Sequence, residues 1–388
     1  MIPSIRVPRR TQSLRLALLT TAALAACGPA IPPVPSQGGP AWHELTSEHF
    51  TLWTNASLDR GRELIRDMED LRHVVIGIGF RGGGEGRVFV IALRDDAEVR
   101  AFLPGDIFDA MASPANSYIH QPLIAFSAQA RGVLVAHELT HTISQTVIRE
   151  QSRWFAEGLA KYFETIEIDR ERGRVDLGRA PSYEGRPVVI TRPMPLRQLV
   201  ACKDLRCVDE HFYTAAWALF TYLMNVKGAR LDTFEQIVAT ANLDELEAEM
   251  KQWLVSGSHT VLHYDVKLRD WPVAVRELGD ADVHAARALL RLQFQGRRDL
   301  ARTEADAAVA LDPTHVLARV ILYVLDRKVD AEAARQAAQA HPDDWRAWWL
   351  VVAALGGGDE AREAHVRACE LIAKNPAIVS PWRQCLTR

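Results

Sequence analysis

Val133-Leu134-Val135-Ala136-His137-Glu138-Leu139-Thr140-His141-Thr142-Ile143, followed by Trp154-Phe155-Ala156-Glu157-Gly158-Leu159-Ala160-Lys161-Tyr162, is the stretch on which the reading of this chain turns. Residues four apart on a helix lie above one another, so His137 and His141 present their imidazoles to one point, the arrangement two zinc ligands need. Glu138 sits one step around the helix, where its carboxylate reaches a metal-bound water without occupying the metal. Val133, Leu134, Val135, Ile143 and Val147 make this an apolar helix in which two histidines and a glutamate are costly to bury. Ligation removes that cost. An ion held with one open position needs a third ligand, and Glu157 offers it from the second helical run.

The His-Glu-x-x-His string followed by Trp-Phe-x-Glu-Gly-Leu-Ala resembles the gluzincin metallopeptidases, in particular the bacterial peptidase MA-like group. The resemblance covers roughly Phe50 to Leu254, and its specific part is Val133 to Tyr162. It implies an α+β zincin-like domain, a small mixed sheet with active-site helices. It also implies one Zn2+ on His137, His141 and Glu157, with Glu138 as general base. In that reading zinc polarises the scissile carbonyl and acidifies its water, Glu138 passes the proton to the leaving amine, and peptide-bond hydrolysis follows. Related peptidases take an oxyanion donor from a helix downstream of the third ligand. Here that implies Tyr213 or, as the alternative, His211, at the start of Phe212-Tyr213-Thr214-Ala215-Ala216-Trp217-Ala218-Leu219-Phe220; a core tyrosine is the plain reading of Tyr213. Zincins commonly add an extended peptide to an edge strand beside the active helix. Leu123, Ile124, Ala125 and Phe126 are expected to form it, with Asn116, Ser117 and Tyr118 on the same rim or simply in a solvated loop. Fifteen residues separate His141 from Glu157, fewer than in the best-studied members. Lys161 stands four residues after Glu157, where the thermolysin-like branch has an aspartate, so the group that orients the histidines is expected elsewhere.

Outward from this centre, Phe50 to Thr54 and Arg87 to Leu93 read as strands, Leu58 to Val75 as an amphipathic helix, and Ala130 to Arg149 as the helix bearing the histidines. Gly82-Gly83-Gly84-Glu85-Gly86 lacks the lysine and hydroxyl residue of a phosphate loop and precedes a strand, so it reads as a turn. From Asp280 the composition turns to alanine-rich amphipathic helices. Asp280 to Pro313 and Pro342 to Pro376 are each close to one 34-residue hairpin, and Ala307-Ala308-Val309-Ala310-Leu311-Asp312-Pro313 resembles the end of a tetratricopeptide repeat. The middle unit, Thr314 to His341, is short. The expectation is therefore an all-α, TPR-like domain that braces the upstream one or recruits a protein partner. Trp345, Trp348 and Trp349 read as helix packing, with a contact surface as the alternative.

The 388 residues are 48% apolar and 24% charged, a globular composition that excludes disorder, collagen and a multi-span membrane protein. Residues 1 to 26 hold four arginines and no acid, so the formal charge of -3 becomes -7 without them. No lysine and arginine block remains to suggest nucleic acid. The apolar run Leu16 to Ala26 is 11 residues, too short to span a bilayer, and reads as an export signal. Leu24-Ala25-Ala26-Cys27 resembles a bacterial lipoprotein signal, which implies lipidation of Cys27. Gly28 in place of aspartate implies the periplasmic face of the outer membrane in a Gram-negative cell. Pro29 to Pro40 reads as a flexible spacer. Cys202 with Cys207, and Cys369 with Cys385, are spaced to form disulfides in an oxidising compartment, although pairing is not set by sequence alone.

The expected divisions are 1–26 signal, 27–41 linker, 42–265 peptidase domain and 280–388 helical domain. Three functions compete. The first is an envelope-anchored zinc endopeptidase acting on peptide or protein. The second is an inactive zincin-fold scaffold lipoprotein working through its helical end, and the third is a zinc amidase acting on cell-wall peptide.

Overall fold

A computed structural model describes residues 31–388 except 81–85, 103–109, 114–117, 131, 149, 181, 184–185, 188–193, 204, 257–260, 376–377, 379–384 and 386–388. The expected signal, Cys27, Asn116, Ser117 and the run Gly82 to Glu85 lie outside the described residues.

The chain opens with strands β1 (Trp42–Thr46) and β2 (Phe50–Thr54), then helix α1 (Leu58–Val75) and strand β3 (Val88–Leu93). Ser57 caps α1 by accepting from the Arg60 amide at 3.3 Å, and Leu64, Ile65, Met68, Leu71 and Val75 recur at helical spacing on its buried side. Strands β4 (Ala110–Ser113) and β5 (Leu123–Ser127) follow, and β6 (Ala274–Leu278) arrives from far along the chain. Together they form a six-stranded sheet in the order β6-β1-β2-β3-β5-β4. The β2–β3 and β3–β5 pairs are parallel, while β6–β1, β1–β2 and β5–β4 are antiparallel.

Both faces of this sheet are covered, which explains why β3 and β5 are apolar without alternation. On one face Leu52, Val90, Ala92, Ile124 and Phe126 pack with α1, α2 (Gly132–Val147), α3 (Arg153–Glu164) and α4 (Glu210–Thr221). On the other, Trp42, Trp53, Phe89, Ile91, Leu93, Leu123 and Ala125 share a core with α5 (Asp280–Leu290), α6 (Arg298–Leu311) and α7 (Val316–Asp326). The architecture is thus an N-terminal mixed α+β region followed by a mostly helical one that supplies the back layer of the sheet. Helices α8 (Ala331–Ala340), α9 (Trp345–Leu355) and α10 (Asp359–Ile372) build a further core with the outer side of α7. Trp345 and Trp349 lie within that core and also meet His120 edge-on, at 6.2 and 5.2 Å between centroids. Trp348 donates to the Pro342 carbonyl at 2.9 Å. Helix packing, rather than an open contact surface, accounts for Trp345 and Trp349.

Two expectations change here. The flexible spacer does not extend through Pro32 to Gly39: Val34 is buried in the sheet–helix core, Arg287 donates to the Pro32 carbonyl at 2.5 Å, and the Ser36 amide donates to Asp280 at 3.1 Å. One apolar residue with carbonyls on either side is enough to dock a Pro-rich stretch. The second correction concerns Leu123, Ile124, Ala125 and Phe126 as a peptide-binding edge. Strand β5 is hydrogen-bonded to β3 and to β4, and those four side chains have no exposure, so no peptide can add to it. Among the described residues the edge strand beside α2 is β4.

Disulfides join Cys202 to Cys207 and Cys369 to Cys385. Among the described residues no helix is long and apolar enough to cross a membrane.

Candidate metal centre

Strand β5 runs into α2 through a tight turn in which the Ala130 amide donates to the Ser127 carbonyl at 2.7 Å. Helix α2 lies over the sheet with Leu139 and Ile143 buried beneath it, which turns His137 and His141 toward α3. Helix α3 is held against α4 by Gly158. A Cβ there would stand 2.7 Å from the Ala216 carbonyl oxygen and 3.1 Å from the Phe220 Cβ, so only glycine lets the two helices approach this closely. Gly158→Ala is therefore expected to cost about 1–3 kcal/mol of stability by overpacking. It should also weaken metal binding, because Glu157 moves with the helix. A thermal melt and a metal titration on one sample check both, and an unchanged melting temperature would show that the contact is not tight.

The three expected ligands converge. His137 Nε2 and His141 Nε2 are 3.1 Å apart, and Glu157 Oε2 lies 3.5 Å from the first and 3.3 Å from the second. Ligands bonded at 2.0–2.1 Å to a tetrahedral ion stand ~3.3 Å from one another, so this triangle has the dimensions of one face of a zinc tetrahedron. Glu157 Oε2 is buried and meets no donor at hydrogen-bond geometry, although both imidazoles are near. A buried carboxylate oxygen left in that condition is costly unless a cation completes it. The donor set, two imidazoles and a carboxylate, is one that could hold a divalent metal ion.

The electrostatics also call for positive charge. Burial alone would depress the His137 pKa, but the carboxylates of Glu157 and Glu164, with Glu138 nearby, outweigh it and leave it pushed up to about 9. Burial pushes Glu157 the other way, and its ionic contacts with His137 and His141 prevail, holding it well below the usual carboxylate range. Arg153 Nη1 stands 3.7 Å from Glu157 Oε1, steadying the oxygen that faces away from the histidines.

Glu164, which the sequence reading did not single out, takes the place beside His137 that Lys161 does not. Its Oε2 lies 3.0 Å from His137 Nδ1, so Nδ1–H donates to the carboxylate while Nε2 faces His141 and Glu157. Lys161 Nζ holds the same carboxylate at 2.8 and 3.0 Å. The available signal was periodicity: positions 157, 161 and 164 fall on one face of α3.

Glu138 is half-buried, and burial raises its pKa while the two imidazoles lower it. The Ala112 amide on β4 hydrogen-bonds its carboxylate, which turns Glu138 toward that edge strand. Tyr213 comes to the same centre: its ring is 6.4 Å from that of His137, and Lys161 Nζ sits 5.3 Å above it. Its position follows from Asp209, which caps α4 by accepting from the Phe212 amide at 2.8 Å. His211 is exposed on the first turn of α4.

Comparison with models of protein families, with curated proteins and with solved structures found no match to this chain.

Proposed function

We propose that this chain is a zinc-dependent peptide hydrolase of the gluzincin kind. The observation that carries the reading is the triangle of His137, His141 and Glu157 with Glu164 behind the first histidine and Glu138 facing the open strand. Zinc, when bound by those three residues, supplies a Lewis acid that polarises a carbonyl and acidifies water. The chain supplies the rest. Glu138 accepts the proton of the attacking water and delivers it to the leaving nitrogen, a task favoured by a pKa raised through burial. Glu164 keeps the proton of His137 on Nδ1, and Arg153 steadies Glu157. Tyr213 offers its hydroxyl to the developing oxyanion. An extended peptide adds to β4, with its backbone passing beside Glu138.

In this reading the enzyme is exported and lipid-anchored through Cys27, and its substrate is a peptide or protein of the cell envelope. The helical end acts chiefly as a structural layer, since its inner face is consumed by the sheet. That speaks against a scaffold whose helices are displayed for partners on that face. An amide in cell-wall peptide would present the same bond to the same groups.

The test is metal content by plasma mass spectrometry on folded protein. About one zinc per chain is expected, with little in His141→Ala, because three protein ligands are the minimum for such a site. Zinc absent from folded wild type after incubation with the metal would overturn the reading.

A further inference from the structure

We propose that His365, Cys369 and Cys385 form a second metal site, closed by the Cys369–Cys385 disulfide and opened by its reduction, which takes a thiophilic cation of the zinc class. It is independent of the first centre in place and in chemistry.

His365 and Cys369 lie four residues apart on α10, so their side chains share one face, as His137 and His141 do on α2. His365 Nε2 stands 3.7 Å from Cys369 Sγ. Bonds of ~2.0 Å to nitrogen and ~2.3 Å to sulfur at a tetrahedral ion put those two atoms ~3.5 Å apart, so the helix already holds them at ligand separation. Cys385 Sγ, joined to Cys369 Sγ in the disulfide, also lies within 4.8 Å of the imidazole nitrogen, so reduction leaves three candidate ligands at one place. All three residues are half-buried, sheltered yet within reach of solvent. The histidine is what turns a cross-link into three converging ligands.

Opening requires a reductant, and an envelope dithiol of the thiol–disulfide oxidoreductase class is the co-reactant we assign. Its thiolate attacks Cys385 Sγ, and the electron pair of the broken S–S bond leaves on Cys369 Sγ as a thiolate beside His365. The second thiol of the reductant then resolves the mixed disulfide, freeing Cys385 and carrying away both oxidised sulfurs as the reductant's own disulfide. The cation binds two thiolates and His365 Nε2, displacing the remaining thiol proton to solvent. Reoxidation by the disulfide form of an oxidoreductase of the same class, which takes up the two electrons and leaves as its own dithiol, removes both thiolates and expels the cation. The bridged segment contains Asn375, whose Oδ1 accepts from the Arg87 amide at 2.7 Å just before β3, so the redox state of this site bears on a tether to the central sheet.

Cobalt(II) is the probe, titrated without oxygen into the full chain carrying Cys27→Ser, Cys202→Ser and Cys207→Ser, after reduction with a phosphine that is then removed. The reduced protein is expected to bind one equivalent more than the oxidised protein and to show a thiolate-to-cobalt charge-transfer band. Cys385→Ser should abolish the band. His365→Ala should keep it but weaken affinity at least ~10-fold, the smallest loss typical even of groups that only support a ligand. Equal cobalt binding by oxidised and reduced protein, each with native far-ultraviolet circular dichroism, would overturn the proposal. So would a band indifferent to Cys385→Ser. Comparing two redox states of one chain keeps the test valid even where a single variant folds poorly.

Discussion

Cutting the chain after Leu278 is expected to abolish folding of everything before the cut, the candidate metal centre included, although no residue of that centre lies beyond Tyr213. The helices removed form the back layer of the sheet. Trp42, Trp53, Phe89, Ile91, Leu93, Val99, Phe102 and Leu123 share their core with α5, α6 and α7. Fully burying a side chain of that size is worth about 1.5–3 kcal/mol, so stripping the cover from eight of them removes well over 10 kcal/mol. Whole domains are stable by only about 5–15 kcal/mol, so the loss consumes the margin. Polar ties go with it: Gln293 donates to the Ser113 hydroxyl on β4 at 2.8 Å and Gln295 to the Ala101 carbonyl at 2.7 Å. A cut after Asp326 is the control, because it spares α5 to α7 and removes only the outer core. Residues 31–278 should give a broad, uncooperative melt and bind a hydrophobic dye, while 31–326 should melt sharply. A sharp transition in the shorter fragment would mean that the helices merely lean on a sheet that is stable without them.

What could be read in advance divides along a physical line. The candidate ligands His137 and His141 are legible because helical period alone puts them on one face, and Glu157 because a second motif on a second helix is a local pattern too. The continuous apolar runs Val88–Leu93 and Leu123–Phe126 carried more than was taken from them. A strand with no polar alternation is one buried on both faces, which marks β5 as interior and asks for a second layer of helices. Sheet order lies beyond such reasoning, since β4 pairs antiparallel with β5 after two parallel crossovers and nothing in Ala110–Ser113 names it as the edge. Glu164 was obscured by its spacing. A carboxylate was sought one turn after Glu157, where Lys161 stands, and it arrives two turns after, with the lysine clasping it. The docking of Val34 on the far core is not legible in the sequence because a single apolar residue in a proline-rich stretch has no periodicity to mark it.

The two glutamates on either side of the triangle should separate when each is made neutral. Glu138 touches no ligand atom at bonding distance and faces β4, so Glu138→Gln preserves shape, hydrogen-bond reach and metal but removes the group that accepts a proton. Zinc content is expected to stay near that of wild type, while turnover falls about 10²–10⁴-fold, the usual contribution of a positioned general base. Glu164 meets the triangle at His137 and is held from behind by Lys161. Replacing it with glutamine keeps an acceptor for Nδ1–H but removes the charge that makes the imidazole a stronger ligand, and it also leaves Lys161 without its carboxylate. The expected loss is about 10–100-fold in metal affinity, with much of the turnover restored at saturating zinc. The discriminating measurement is therefore activity against zinc concentration on a peptide-library substrate: Glu138→Gln lies flat near zero at every concentration, and Glu164→Gln climbs toward wild type along a curve shifted to higher zinc. Should Glu138→Gln recover with added metal, the glutamate would be a support of the ion rather than the base. If Glu164→Gln tracked wild type throughout, the 3.0 Å contact to His137 would carry no part of the binding.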